Sequence, residues 1–149
     1  MEISIQRITR RNRKQILALS LAEGQKGFVE TPAQCLKEAR RLWIWHPVAI
    51  CADGWPVGFA MYGRFPWEGK RGRVWLDRLL IGEQYQGKGY GKRALLALCC
   101  RLKTQYRCEE IYLSCYADNP AAIGLYQQVG FRFNGEKDIN GEDVMVLRC

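Results

Sequence analysis

One histidine, His46, stands in 149 residues, and no two cysteines keep the C-x-x-C spacing. The first scarcity excludes a multi-histidine metal centre, and the second removes the usual zinc and redox motifs. No metal is expected. Long apolar runs are also missing: none approaches the ~20 residues that a membrane-spanning helix needs. No membrane partner is therefore expected. The opening Met1-Glu2-Ile3-Ser4-Ile5 has no charged head followed by an apolar stretch. The expectation is an absent secretory signal and a cytoplasmic location. No repeat, low-complexity tract or linker interrupts the chain, whose length suits one domain over residues 1–149.

Apolar residues make up 48% and charged residues 26%, which describes a globular chain rather than a disordered one. The seven cysteines, an odd number, read as small buried hydrophobes in a reducing compartment. Net charge is +8, with local basic density at Arg7–Lys14 and Lys70–Arg73. Nucleic-acid-binding domains cluster their basic residues. Here the charges are spread along the chain, so an anionic cofactor explains them more simply and no nucleic-acid partner is expected.

Ile3, Ile5 and Ile8 suggest a first strand, and Asn12-x-x-Gln15 resembles a capping box before a short helix. Thr31-Pro32-Ala33-Gln34 is a clearer helix start, with a threonine cap, proline at the first position and glutamine at the third. That helix is expected to run to about Trp43 and to end before His46-Pro47. Val48–Cys51 and Pro56–Tyr62 read as strands joined at Asp53-Gly54, a hairpin signal. Val74–Ile81 is apolar on both faces, as a central strand should be. A glycine loop follows it, then an amphipathic helix through Leu95, Leu98, Leu102 and Tyr106, then a strand over Ile111–Tyr116. This unit predicts a right-handed parallel crossover. Asn119-Pro120 starts a last helix that ends at Gly130, and a hairpin around Asn140-Gly141 closes the chain. The expected class is mixed α/β, antiparallel at both ends and parallel in the middle.

The glycine loop reads Gln86-Gly87-Lys88-Gly89-Tyr90-Gly91-Lys92. A P-loop needs Ser or Thr after Lys88 to hold magnesium, and Gly89 stands there. Gly89-x-Gly91-x-x-Ala94 fits a dinucleotide fingerprint, but the approach from the strand is too long and no second βαβ half follows. The third pattern, Gln86-x-x-Gly89-x-Gly91, resembles the acyl-CoA loop of the GNAT acetyltransferase superfamily. Glycines there let backbone N–H groups point at a pyrophosphate, and the helix N-terminus adds partial positive charge. Lys88, Lys92 and Arg93 add full charges.

An independent stretch carries the same resemblance. Asn119-Pro120-Ala121-Ala122-Ile123-Gly124-Leu125-Tyr126-Gln127-Gln128-Val129-Gly130-Phe131 is similar to the superfamily signature N-x-x-A-x-x-L-Y-x-x-x-G-F. The likeness extends over nearly the whole chain and looks closest to bacterial spermine/spermidine (diamine) N-acetyltransferases. Segments outside the CoA motifs carry this narrowing, among them Phe28-Val29-Glu30, Gly72–Arg78, Phe133–Glu136 and Asn140-Gly141-Glu142.

The resemblance implies the GNAT fold, a mixed central sheet with splayed parallel strands and flanking helices. It also implies transfer of an acetyl group from acetyl-CoA to a primary amine, expected to be a polyamine or diamine, by direct attack in a ternary complex. The alternatives are another small amine, a protein amino group, or a silent acyl-CoA-binding module. Tyr126 takes the family's general-acid role toward the CoA sulfur. Asp77 matches the acidic residue assigned as base or proton relay. A carboxylate midway along an apolar strand is costly unless it is paired or used. Arg78, by strand alternation, is expected on the opposite face unless a bulge intervenes. Leu79, Leu80 and Ile81 would offer backbone groups to the pantetheine arm, and Gln86 through Lys92 would hold the phosphates. Asn119 caps its helix beside the cofactor. For the amine, the candidates are Glu30, Glu38, Trp45, Tyr62, Trp67 and Glu68 with Asp77, because a polycation calls for carboxylates and aromatic faces. A homodimer is the family-based expectation.

Overall fold

The computed structural model describes residues 2–19 and 31–149. The strands are β1 (Ile3–Arg7), β2 (His46–Ala52), β3 (Trp55–Phe65), β4 (Arg73–Ile81), β5 (Glu110–Cys115), β6 (Arg132–Lys137) and β7 (Asp143–Arg148). The helices are α1 (Arg13–Leu17), α2 (Pro32–Arg41), α3 (Tyr90–Tyr106) and α4 (Pro120–Val129). The strands form one sheet in the order β1-β2-β3-β4-β5-β7-β6. The β4–β5 pair is parallel, with α3 as its crossover, and the other described neighbours are antiparallel.

The order at the far edge follows from burial. Every residue of β6 is exposed, whereas β7 buries Val144 and Met145. The apolar strand therefore takes the interior position beside β5, and the polar one forms the edge.

Each face of the sheet is covered separately. On one side α3 presents Ala94, Leu95, Leu98, Cys99 and Leu102, a helical stripe packed on Ile50, Ala60, Leu76, Ile111 and Leu113. On the other, Ile16 of α1 and Cys35 and Leu36 of α2 pack on Ala49, Cys51, Phe59 and Met61. Cys35, Cys51, Cys99 and Cys115 are buried, and burial pushes the Cys99 thiol up to about 12 and that of Cys115 up to about 11. They behave as small hydrophobes rather than nucleophiles.

Local signals hold at several points. Thr31 and Gln34 complete a reciprocal capping box at α2. Asp53 and Gly54 both take positive φ, +49° and +85°, as the tight hairpin turn requires. Others need correction. Asn12 makes no side-chain cap on α1; its Oδ1 accepts from the Thr9 N–H behind it, and its amide donates to the Arg7 carbonyl. The α2 helix ends at Arg41, short of Trp43, and β2 begins at His46, so Pro47 lies inside the strand. The β3 strand continues to Phe65, three residues past Tyr62.

Candidate active site

The parallel pair separates almost as soon as it forms. Val74 pairs with Ile111 and Trp75 with Tyr112, while the rest of β4 to Ile81 pairs with β3 alone. Just past the last shared pair, the β3–β4 register slips: Tyr62 faces Leu76 but Met61 faces Arg78. Asp77 is the extra residue of a β-bulge, which bends and twists a strand locally. The bulge sits where β4 turns away from β5 and leaves one edge of Leu76–Ile81 facing the gap. Leu79, Leu80 and Ile81 are on that segment.

The glycine loop closes one end of this gap. The Gln86 side-chain amide donates to the Ile81 carbonyl at 2.8 Å and ties the loop to the end of β4. Gly87 and Gly89 take φ of +78° and +82°, a region that L side chains avoid. A Cβ on either would meet no protein atom within 4 Å. At Gly91 a Cβ would lie 3.6 Å from Leu125, an ordinary contact, so glycine or alanine fits there. Gly89 caps α3 without any side-chain hydrogen bond, and the first turn holds no acidic residue. Lys88, Lys92 and Arg93 are exposed around it. Uncapped N–H groups, the helix dipole and three cations suit a pyrophosphate.

The α4 helix supplies the other wall. Asn119 accepts from the Ala122 N–H at 3.5 Å, Pro120 fills the first position, and Gly130 ends the helix at φ +117°. The Tyr126 carbonyl accepts from the N–H groups of both Gly130 and Phe131. Phe131 is fully buried and meets the Tyr126 ring at 6.1 Å between centroids. The signature thus fixes where the tyrosine stands: cap, start, stop and anchor all serve its helix. Burial pushes the Tyr126 hydroxyl up to about 12, and the Cys115 thiol and Glu142 carboxylate add to the shift.

Around the bulge in β4 lies a group of charges that no local pattern connects. Because of the bulge, Asp77 and Arg78 reach the same face and form an ion pair. The expectation that Arg78 points away is therefore corrected. Arg78 also donates to Glu38 of α2 at 2.9 Å. Glu142, in the turn before β7, feels the Arg78 charge as well. Burial, then a hydrogen bond to Asp138 and the Asp138 charge, raise Glu142 to about 7, although Arg78 and Ser114 oppose the rise. Burial also works against the Asp138 carboxylate, but hydrogen bonds from the Glu142 and Asn140 backbone and from Ser114 and Glu142 side chains outweigh it and lower its pKa.

The remaining candidates fall in different places. Glu68 accepts from the Trp75 indole at 2.8 Å, and Trp75 packs on Tyr112. Trp67 is exposed and rests edge-on against Phe65. Tyr62 is buried on the α3 face, where its hydroxyl donates to Gln105 and accepts from Arg101. Trp45 is buried among the residues under α1 and α2. Neither Tyr62 nor Trp45 is brought to the charged group. Glu30 lies outside the described residues. Arg78, Ser114, Asp138 and Glu142 were not among the sequence candidates. Their one signal was Glu142 in the Asn140-Gly141-Glu142 turn, which spacing alone cannot aim at Arg78.

Residues 14–131 match the acetyltransferase (GNAT) family model. The chain belongs to the GNAT acetyltransferase family. It is 48% identical, over 98% of both lengths, to a spermine/spermidine N(1)-acetyltransferase of Bacillus subtilis strain 168. It is equally similar, over the same share of both, to a probable spermine N(1)-acetyltransferase of Bacillus subtilis subsp. natto. Among solved structures, aminoglycoside acetyltransferase AAC(6')-Ib with coenzyme A and kanamycin superposes with a TM-score of 0.80 at 20% identity, covering 99% of this chain and 95% of that one. An N-acetyltransferase of Thermoplasma acidophilum with coenzyme A superposes over both whole chains with a TM-score of 0.68 at 15% identity. At these identities the likeness concerns the fold. It is the GNAT fold, with the splay between β4 and β5 as its opening.

Proposed function

We propose that this protein transfers the acetyl group of acetyl-CoA to a primary amine of a polyamine such as spermine or spermidine, or of a diamine. The observation that carries this reading is the two-sided gap between β4 and β5. One part offers uncapped N–H groups and cations, and the other gathers Glu38, Asp77 and Glu142 around Arg78, with Asp138 beside Glu142. The first suits the phosphates of CoA and the second suits a cationic amine. The 48% identity, over 98% of both lengths, to relatives named as a spermine/spermidine and a probable spermine N(1)-acetyltransferase supports the polyamine. The chain's +8 charge repels polycations little at long range, since salt screens beyond ~8 Å, and local acidity decides at short range.

In this reading the backbone of Leu79, Leu80 and Ile81 receives the pantetheine arm as an added strand. Gln86 through Lys92 hold the phosphates, and Asn119 sets the helix that carries Tyr126. A free alkylamine has a pKa near ~10.4, so it must lose a proton before attack. The carboxylates around Arg78 receive that proton, Asp77 being the sequence candidate. Tyr126 keeps its proton through the neutral range and gives it to the departing sulfur. Glu38, Trp67 and Glu68 line the approach of the amine's remaining charges.

The test is a thiol-release assay with acetyl-CoA against spermine, spermidine, putrescine, lysine and aminoglycosides. Turnover is expected with the polyamines. Release with another amine and none with any polyamine would overturn the substrate reading.

A further inference from the structure

We propose that Glu142, rather than Asp77, takes the proton from the incoming ammonium, and that Asp77 acts by holding Arg78. The proposal rests on the acetyltransferase reading above. Asp77 and Glu38 are both engaged with the Arg78 guanidinium. Glu142 differs in its partner, which is another carboxyl. Asp138 Oδ1 accepts the N–H groups of Asn140 and Glu142, each at 2.9 Å, and the Asp138 N–H donates to the Glu142 carbonyl at 2.9 Å. These donors hold Asp138 as the anion. With Asp138 held as the anion beside it, Glu142 is the carboxyl of the two that gains a proton as pH falls and gives it up as pH rises, so its ionised form is the one that accepts.

The fold brings three elements to this carboxyl besides its own turn. Among the described residues, the titratable and charged groups that act on it or feel its charge are Asp138 of its own turn, Arg78 of β4, Cys115 of β5 and Tyr126 of α4, with the Ser114 hydroxyl of β5 hydrogen-bonded to it. Glu142 directly precedes Asp143, which pairs with Cys115 at the end of β5, beyond the two pairs that β5 shares with β4. The chain therefore places it where the splay has opened, and its charge is felt by Tyr126 as that of Arg78 is felt by it. A base that titrates near neutral pH, where Glu142 is held at about 7, both accepts and releases a proton readily.

The steps balance. An N–H proton of the ammonium moves to the Glu142 carboxylate. The neutral amine forms its bond to the thioester carbonyl carbon, and the C–S bond breaks. The thiolate takes the Tyr126 proton, and the second nitrogen proton returns to the Tyr126 oxygen. Ammonium and thioester become amide and thiol, with one proton left on Glu142 for release to solvent.

The experiment compares wild type, Glu142→Gln, Asp138→Asn and Asp77→Asn by kcat against pH, with acetyl-CoA affinity by calorimetry. Wild type should show a limb rising with pH through the neutral range. E142Q should lose that limb and about 10²–10⁴-fold in kcat while binding acetyl-CoA normally. D138N keeps an oxygen for the two N–H groups but removes the neighbouring anion, so its limb should move to lower pH. D77N should be slower and keep the limb. An E142Q enzyme within twofold of wild type, with the limb intact, would overturn the proposal. If E142Q is misfolded, an unmoved limb in D138N overturns it instead. Wild-type activity on a non-polyamine alone overturns the substrate reading, and the same comparison is then made on that amine. Wild type inactive on every amine overturns both.

Discussion

Replacing Gly89 by alanine should weaken acetyl-CoA binding while barely touching the stability of the free protein. Gly89 has φ +82°, and a Cβ there would meet no protein atom within 4 Å. Clash with the rest of the fold is therefore not the issue. The cost is local, about 1–2 kcal/mol for an L residue in the left-handed region. Where that cost appears depends on what holds the loop. Gly87, Lys88 and Gly89 are exposed, and the first helical bond, Arg93 N–H to the Gly89 carbonyl, is long at 3.4 Å. The free loop can relax to negative φ with little loss, so Tm should move by no more than about 2 °C. Binding must then restore the left-handed turn that aims the N–H groups at the pyrophosphate. The Kd should rise about 5–30-fold, the equivalent of the same 1–2 kcal/mol. Gly89→Asn, which tolerates this region, should keep most of the affinity, and Gly91→Ala should bind nearly as wild type. Isothermal titration with acetyl-CoA and a thermal melt decide it. Unchanged Kd and Tm would refute any role for the turn. A lower Tm with unchanged Kd would show that the loop does not relax.

Tyr126→Phe should lower kcat about 10²–10⁴-fold with acetyl-CoA affinity and Tm nearly unchanged, measured by stopped-time thiol release and calorimetry; full turnover removes the acid role. Because the Tyr126 hydroxyl is held at about 12, the wild-type rate should show no decline from loss of its proton through the neutral and mildly alkaline range. Gly58→Ala should lower the denaturant midpoint, since its Cβ would stand 2.4 Å from the Leu80 carbonyl oxygen of β4, a backbone atom that cannot step aside. Overpacking of this kind costs about 1–3 kcal/mol, and a wild-type midpoint would mean that the two strands separate freely.

The geometry of the candidate donor side was legible because it is local. A left-handed turn asks for glycine, a helix start asks for Asn119-Pro120, and a helix stop asks for Gly130 followed by an apolar anchor. The crossover was legible too, because strand, loop, helix and strand follow one another directly. The acceptor side was not. Glu30, Glu38, Trp45, Tyr62, Trp67 and Glu68 were chosen by residue type, and the fold sends Tyr62 and Trp45 into the core. A buried tyrosine satisfied by Gln105 and Arg101 and a tyrosine facing a substrate look the same in one sequence.

By itself the sequence determined the glycine loop, the tyrosine helix and the parallel unit that joins them, each set by contacts within a few residues. Tertiary structure decided which carboxylates meet. The slip at Asp77 reverses the side on which Arg78 emerges, and the insertion of β7 beside β5 carries Glu142 toward it. Alternation along a strand predicts a face only while the register holds, and one extra residue changes it for everything beyond. Residues 38, 78, 114 and 142 come from four elements, so their meeting depends on packing that no local spacing encodes.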